Sequence, residues 1–132
     1  MVRLSVRTSR RCEFVDITGE VRKAVLESGM SDGIVVIYCP HTTAGITINE
    51  NADPSVMRDI TTKTSKLIDR NDPDYRHAEG NSDGHVKSSL FGASETVIIE
   101  GGRPVLGTWQ GIYLAEFDGP RTRSVLLKMI PG

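Results

Sequence analysis

The sequence has few of the residues that would mark a small protein as disulfide-bonded, polyanion-binding or membrane-spanning. Its two cysteines, Cys12 and Cys39, lack metal-site spacing, and we interpret both as buried free thiols. The formal net charge is only -1, which gives no electrostatic reason to expect nucleic acid. The longest apolar run, residues 34–39, is too short to span a bilayer, and no signal-peptide segment opens the chain. We therefore expect a cytoplasmic protein without a nucleic-acid or membrane partner.

The length and composition predict one globular domain over residues 1–132. Hydrophobic residues make up 38% and charged residues 25% of the chain, which is typical of a soluble fold with one core. No internal repeat, linker or low-complexity segment divides it. One core and one main site are therefore expected.

Hydrophobic periodicity and punctuating residues predict three helices. The first spans residues 18–28, where Asp16 or Thr18 can cap it and Gly29 can end it. The second starts at Asp53-Pro54 and continues to about residue 69. A short third helix runs from His85 to Phe91. Between the last two, residues 71–83 form a polar loop of a length that is usually functional or disordered.

Apolar and alternating segments predict the strands. They lie at residues 2–6, 11–15, 33–38, 44–48, 95–100, 111–117 and 122–129. The resulting order, ββαββααβββ, predicts an α+β fold with a mainly antiparallel sheet and two to three helices.

The histidines lie in two of the polar joints. His41 follows Pro40 at a strand-to-strand junction and begins a block with hydroxyls, Asn49 and Glu50. His77 and His85 lie in a second block with Glu79 and Asp83. Three histidines are the number that a catalytic zinc commonly uses, with one position left for water or substrate. A turn histidine held by hydrogen bonds is the structural alternative for each of them.

Two further features favour phosphate. His85 lies at the start of a predicted helix, where the helix dipole favours an anion, and Lys87, Ser88 and Ser89 add a cation and hydroxyls. Arg121 emerges from a turn at 118–120 and can offer a planar fork to an oxyanion. Simple helix capping by Ser82 or Asp83, and a solvated surface arginine, are the alternatives.

Three blocks of sequence together resemble the YjbQ-like family, which is also described as the secondary thiamine-phosphate synthase family. The first is His41-Thr42-Thr43-Ala44-Gly45 with Asn49-Glu50-Asn51, and the second is His77-x-Glu79-Gly80-Asn81-x-Asp83-Gly84-His85. The third is Gly107-x-Trp109-Gln110-Gly111 with Glu116-x-Asp118-Gly119-Pro120-Arg121. The resemblance extends over essentially the whole chain.

The resemblance implies a compact α+β subunit, a homotrimer, and a site where the histidines gather. In one arrangement of this site, neighbouring subunits contribute some of its residues. It also implies a transferase of thiamine biosynthesis that joins hydroxymethylpyrimidine diphosphate to a thiazole phosphate. On this hypothesis His41, His77, His85 and Glu79 are catalytic. Lys87, Ser88, Ser89, Arg121 and Asn49 bind substrate phosphate.

The cofactor expected at this site is a divalent metal held by His41, His77 and His85, with zinc as the first choice and magnesium as the alternative for a diphosphate substrate. Glu50, Glu79 or Asp83 would orient the ligating histidines. Two other functions use the same residues: a metal-dependent hydrolase, and a trimeric protein that binds a metal or small phosphorylated ligand without transforming it.

Overall fold

The computed structural model describes residues 1–132 and contains eight strands and three helices. In chain order they are β1 (Val2–Arg7), β2 (Glu13–Asp16), α1 (Thr18–Ser28), β3 (Gly33–Tyr38), β4 (Ala44–Glu50), α2 (Pro54–Leu67), α3 (Ser82–Phe91), β5 (Ser94–Glu100), β6 (Arg103–Pro104), β7 (Gln110–Glu116) and β8 (Thr122–Pro131). The predicted α+β class is confirmed. None of the helices has the length and apolar character needed to cross a membrane.

Two antiparallel sheets enclose the core. One has the strand order β1-β8-β3-β5-β6 and the other β2-β7-β4. Apolar side chains from both sheets and from α1 pack between them, as the alternation of the strands requires. These side chains include Val21, Val25, Val35, Ile37, Ile46, Val97, Ile99, Ile112, Leu114, Val125 and Leu127.

Local chemistry explains where the helices begin and end. Asp16 accepts hydrogen bonds from the backbone and hydroxyl of Thr18 at the start of α1, and Gly29 ends that helix with a φ of 70°. Asp53 accepts a bond from the Ser55 amide, with Pro54 in the first turn of α2. These boundaries confirm the first two predicted helices, although α2 ends at Leu67 rather than near residue 69.

Two predicted boundaries need correction, and one strand had not been predicted. The helix α3 begins at Ser82, three residues before His85, because Asn81 is its N-cap. Strand β2 begins at Glu13 rather than at residue 11, because the Glu13 carboxylate accepts the Ser9 and Arg10 amides and closes a turn there. A two-residue strand, β6, follows β5 through the Gly101-Gly102 turn and adds an unpredicted edge.

Close packing brings α3 against the ends of β4 and β7. Gly84 lies so near this edge that a Cβ atom there would be 3.1 Å from the Phe117 carbonyl oxygen and 3.4 Å from the Thr43 methyl group. The buried Ser88 hydroxyl donates to the Ala44 carbonyl at 2.8 Å. The close approach at Gly84 and the Ser88 hydrogen bond together hold the start of α3 beside the β3–β4 and β7–β8 turns.

Candidate functional site

A polar open cavity of about 440 Å³ lies where the β3–β4 turn, the segment before α3 and the β7–β8 turn meet. All three histidines of the chain line it, with no hydrophobic side chain among its walls. Its lining residues are Pro40, His41, Thr42, Thr43, His77, Glu79, Asn81, His85, Asp118, Arg121 and Arg123. Residues from three separate blocks of sequence therefore share one site.

His41 is fixed by the neighbouring strand β8. Its Nε2 atom accepts a hydrogen bond from the Ser124 backbone amide at 3.0 Å. Burial, followed by the nearby charge of Arg123, lowers the pKa of His41 below its usual value. The ring is therefore neutral at pH 7, and with Nε2 accepting, its proton lies on Nδ1. His41 offers one N–H donor to a ligand.

His77 and His85 form an edge-to-face pair, with ring centroids 5.3 Å apart and an interplanar angle of 89°. Glu79 extends this pair, since its Oε2 atom lies 3.6 Å from His77 Nε2. His77 and Glu79 come from the loop before α3, whereas His85 lies in the first turns of that helix. Glu79 therefore lies close to His77, at a distance longer than a hydrogen bond.

Asn81 connects the start of α3 to the β7–β8 turn. Its Nδ2 atom donates to Asp118 Oδ2 at 2.8 Å, whereas its buried Oδ1 atom has no protein partner. A buried acceptor without a partner costs about 1–3 kcal/mol. The atom is fully enclosed, so this unsatisfied acceptor does not face the cavity.

Arg121 lies at the rim and folds back on its own turn. Its Nε atom donates to the Asp118 carbonyl at 2.9 Å, and its Nη2 atom lies 3.1 Å from Asp118 Oδ2. The side chain is 49% exposed. Arg121 therefore lines the predicted site, but its guanidinium is oriented by Asp118.

Arg123 lies deeper in the same cavity, and its guanidinium is almost completely enclosed. Glu116 accepts bonds from its Nε and Nη2 atoms, and Nη2 also donates to the hydroxyl and carbonyl of Thr43. Glu116 is itself fully buried and further accepts from the Thr8 hydroxyl and the Phe117 and Asp118 amides. This hydrogen-bond network holds the floor of the cavity in a fixed geometry.

Four predicted phosphate-binding residues lie outside the cavity. Lys87 is buried, with its Nζ atom 3.6 Å from Asp83 and 3.8 Å from the sulfur of Cys12. Ser88 is engaged with Ala44, and the Ser89 hydroxyl donates back to the His85 carbonyl. Asn49 lies on β4 and accepts the Glu50 amide. Packing or local hydrogen bonds engage all four, and the structure does not bring them to the cavity.

Two of the three carboxylates that were expected to orient the histidines lie away from them. Asp83 receives two 2.9 Å hydrogen bonds from Arg11, and Glu50 accepts the amides of Ala52 and Asp53. Only Glu79 remains beside a histidine. Trp109 is 63% exposed and lies outside the cavity, while the Gln110 side chain closes a turn by accepting the Gly107 amide.

The three histidines do not fit a common metal in this arrangement. No group of three or more histidine, cysteine or carboxylate side chains is placed to hold one ion. His41 directs its only unprotonated nitrogen at the Ser124 amide, so a neutral ring has no lone pair left for a metal.

The sequence-based predictions did not include Arg123 and assigned no role to Glu116, although alternation within the strands carries a signal for both. Arg123 is in phase with the buried Val125 and Leu127, and Glu116 with the buried Ile112 and Leu114. Charged residues on an inward face imply a buried pair. Asn81 and Asp118 gave no comparable signal, because their contact joins residues 37 positions apart.

Comparison with known proteins gives one consistent result. A family sequence model described as "UPF0047 protein YjbQ-like" matches residues 2–132. A UPF0047 protein of Methanocaldococcus jannaschii is 57% identical over 130 residues, covering 98% of this chain and 94% of its own. The UPF0047 protein YugU of Bacillus subtilis is 53% identical over 127 residues, covering 96% of each.

Solved structures agree with this result. A YjbQ/UPF0047 protein of Clostridium acetobutylicum superposes with a TM-score of 0.96 at 57% identity, covering 98% of this chain and 100% of that one. A YbjQ-like protein of Sulfolobus solfataricus gives a TM-score of 0.94 at 34% identity, covering 99% and 96%. The names of these relatives give a family and no reaction.

Proposed function

The chain belongs to the YjbQ-like UPF0047 family, and we propose that its polar cavity binds the phosphate or diphosphate group of a small substrate for a group-transfer reaction. One observation carries this proposal: three histidines and two arginines converge on a cavity that has no hydrophobic side chain. Imidazole and guanidinium donors suit phosphate oxygens.

The reaction that we put first is the joining of hydroxymethylpyrimidine diphosphate to a thiazole phosphate. The bond between the pyrimidine methylene carbon and the diphosphate oxygen breaks, and its electron pair leaves with the diphosphate. The ring nitrogen of the thiazole donates its lone pair to that carbon and becomes positively charged. The resemblance of the three sequence blocks supports this choice of substrates.

In this reaction the protein must mainly stabilise the leaving diphosphate. His41 presents a neutral N–H donor, and Arg121 lies at the rim where a second phosphoryl group can reach it. Each arginine already contacts a carboxylate, Asp118 or Glu116. The cavity therefore holds an anion through directed hydrogen bonds and not through a large excess of positive charge.

The pairing of His77 with Glu79 favours a hydrolase as the second candidate. A carboxylate beside an imidazole can orient the ring and stabilise its protonated form while the ring takes a proton from water. Here the water oxygen would bond to a phosphorus atom while the bond from that phosphorus to the leaving oxygen breaks. The leaving oxygen would keep the electron pair and take up the proton, so one substrate would be consumed alone. Simple binding of a phosphorylated ligand is the third function that this cavity can support.

Product analysis on the purified protein separates the three functions. A synthase forms thiamine phosphate and diphosphate only when both precursors are present, and a hydrolase releases phosphate from one substrate. A binder shows saturable affinity without turnover. The His77→Gln/His85→Gln variant should lose synthase activity, with Arg103→Lys on the exposed edge strand β6 as control. Absence of phosphate or diphosphate binding to the native protein would refute the proposal.

Zinc at the histidines is a separate hypothesis. It needs the His41 ring to release the Ser124 amide and turn an unprotonated nitrogen into the cavity. Metal content of the native protein, compared with a variant carrying alanine at His41, His77 and His85, tests it. Stoichiometric zinc in both proteins would exclude these ligands, while diphosphate titrations with and without magnesium test the alternative ion.

A further inference from the structure

We infer that Arg123, through its Nη1 atom, is the fixed donor that receives a phosphoryl oxygen of the ligand in this cavity. The inference rests on the proposed function and deepens it by naming the binding residue and the chemical group that it recognises. It assigns the strongest oxyanion contact to Arg123 at the floor of the cavity instead of Arg121 at its rim.

The hydrogen bonds of Arg123 leave one nitrogen available. Nε and Nη2 are occupied by Glu116 and Thr43, whereas Nη1 has no hydrogen-bond partner in the chain. Asn81 Oδ1 is the only fully enclosed side-chain nitrogen or oxygen atom that lacks a hydrogen-bond partner. Nη1, which also lacks a partner, is therefore not fully enclosed. The Nη1 atom of this otherwise enclosed side chain therefore reaches accessible space, and Arg123 lines the cavity.

The contacts of Arg123 make it more rigid than Arg121. Its guanidinium is held from two sides by Glu116 and Thr43, whereas Arg121 bonds only to Asp118 and is half exposed. A donor that is already immobile loses little conformational entropy when a ligand binds. The neighbouring Glu116 carboxylate compensates the buried positive charge, which allows a cation to lie at this depth.

The surroundings of Arg123 define the group that it can recognise. His41 offers an N–H donor from the adjacent β3–β4 turn, and its position near Arg123 is reflected in a pKa that the guanidinium charge helps to lower. Thr42 adds a hydroxyl to the same wall. Several donors around one small polar space suit the oxygens of a tetrahedral phosphoryl group. We therefore assign the terminal phosphate of a phosphomonoester or diphosphate to this position.

Calorimetric titration with inorganic phosphate and inorganic diphosphate tests the assignment. Arg123→Lys keeps a cation for Glu116 and removes Nη1, and we expect affinity to fall roughly 10- to 100-fold, the range for loss of a hydrogen bond to a charged group. Arg103→Lys, on exposed β6, should bind both ions as the native protein does. Arg121→Lys should weaken phosphate binding less than Arg123→Lys.

A second variant keeps the test decisive if Arg123→Lys fails to fold. Thr43→Val removes one acceptor from the Nη2 atom and loosens the guanidinium, so we expect several-fold weaker phosphate binding. If Arg123→Lys folds, this loss should disappear in the double variant, because a positioning effect requires the arginine. An equal loss in both backgrounds would show a merely structural role for Thr43. In NMR spectra of the native protein, the signals of the Arg123 guanidinium nitrogens should shift when phosphate is added.

The outcomes distinguish failure of this inference from failure of the proposed function. A folded Arg123→Lys variant with native phosphate affinity, or native guanidinium signals that ignore added phosphate, would overturn the assignment to Arg123 and leave the cavity function standing. A native protein that binds neither ion would overturn both.

Discussion

Four charged side chains are almost completely enclosed in this small protein, and each contacts an opposite charge. Asp83 receives Arg11 and Lys87, and Glu116 receives Arg123. Buried charges of this kind persist only when their partners and hydrogen bonds are in place. The contact between Glu116 and Arg123 supports the cavity floor. The contact between Asp83 and Arg11 connects α3 to the β1–β2 turn. Both therefore position the site through electrostatic contacts between distant parts of the chain.

Asp83→Asn should be among the most destabilising changes in the chain. It leaves the buried Lys87 and the partly buried Arg11 without their carboxylate, and loss of one partner from a buried ion pair typically costs about 3–5 kcal/mol. Urea unfolding measures this loss. Asp59→Asn on the exposed face of α2 is the matched control and should change stability by less than about 0.5 kcal/mol. Equal effects of the two variants would contradict this account.

The same carboxylate should govern part of the stability at acid pH. Burial tends to raise the pKa of Asp83, but the hydrogen bonds and charge of Arg11, with the charge of Lys87, lower it overall. Asp83 therefore binds a proton more readily in the unfolded chain than in the folded protein. Its contribution to stability is complete above about pH 4 and is lost as pH falls through the lower pKa of the folded state. Urea titrations from pH 6 to pH 2.5 should show the native protein and Asp83→Asn converging below that window. A constant difference across it would refute the assignment.

At the rim, Arg121→Lys should keep the fold and weaken diphosphate binding by about 1 kcal/mol, less than Arg123→Lys does, because lysine retains the charge but loses the planar fork. Calorimetry with diphosphate and a thermal melt on the same variant provide the measurement. The Asp118 contacts of Arg121 are exposed, so the melt should hardly change. Native affinity with a normal melt would remove Arg121 from the site.

Most individual elements were predictable from the sequence, whereas their arrangement was not. The capping chemistry of Asp53-Pro54 and Gly29 gave two helices, and alternation gave the main strands. The division into two sheets depends on pairings such as β1 with β8, which lie at opposite ends of the chain. The gathering of the three histidines follows from the resemblance, but the removal of Lys87 from the site follows only from its burial beside Asp83. Local patterns contain no information on such distant contacts.

Two helical glycines test whether close packing holds α3 in place. Gly19→Ala in α1 meets no atom within 4 Å, so higher helix propensity should stabilise the protein by up to about 1 kcal/mol. Gly84→Ala in α3 gains the same propensity but places its Cβ atom 3.1 Å from a backbone carbonyl oxygen. We expect it to give no stabilisation and to weaken phosphate binding by displacing Asn81 and His85. Thermal melts and calorimetry compare the pair, and equal stabilisation would show that α3 is free to move.

At the scale of the whole molecule, the outer face of the larger sheet carries an exposed apolar patch. Ile34 on β3 lies between Ile98 on β5 and Ile130 on β8, so that three isoleucines stand side by side across the sheet. Ile98 is 62% exposed and Ile130 42%. Contiguous apolar surface of this kind commonly marks a protein interface. The same strands end near the cavity, where the Ser124 amide of β8 contacts His41.

We therefore expect the protein to assemble through this face as the homotrimer that the family resemblance implies. Light scattering on the eluting native protein should give about three times the chain mass of 14.5 kDa. Ile98→Lys places a charge among the three isoleucines and should yield monomers, because burying an unpaired ammonium in an interface is strongly unfavourable. Leu26→Lys, on the exposed side of α1, is an equally drastic surface change away from the sheet and should leave the trimer intact. Phosphate affinity of the Ile98→Lys monomer then tells whether a neighbouring subunit completes the cavity. We expect it to stay close to native, since Ile34 and Ile130 lie at the ends of β3 and β8 opposite the cavity. A native monomer, or a trimer that survives Ile98→Lys, would exclude this face as the interface.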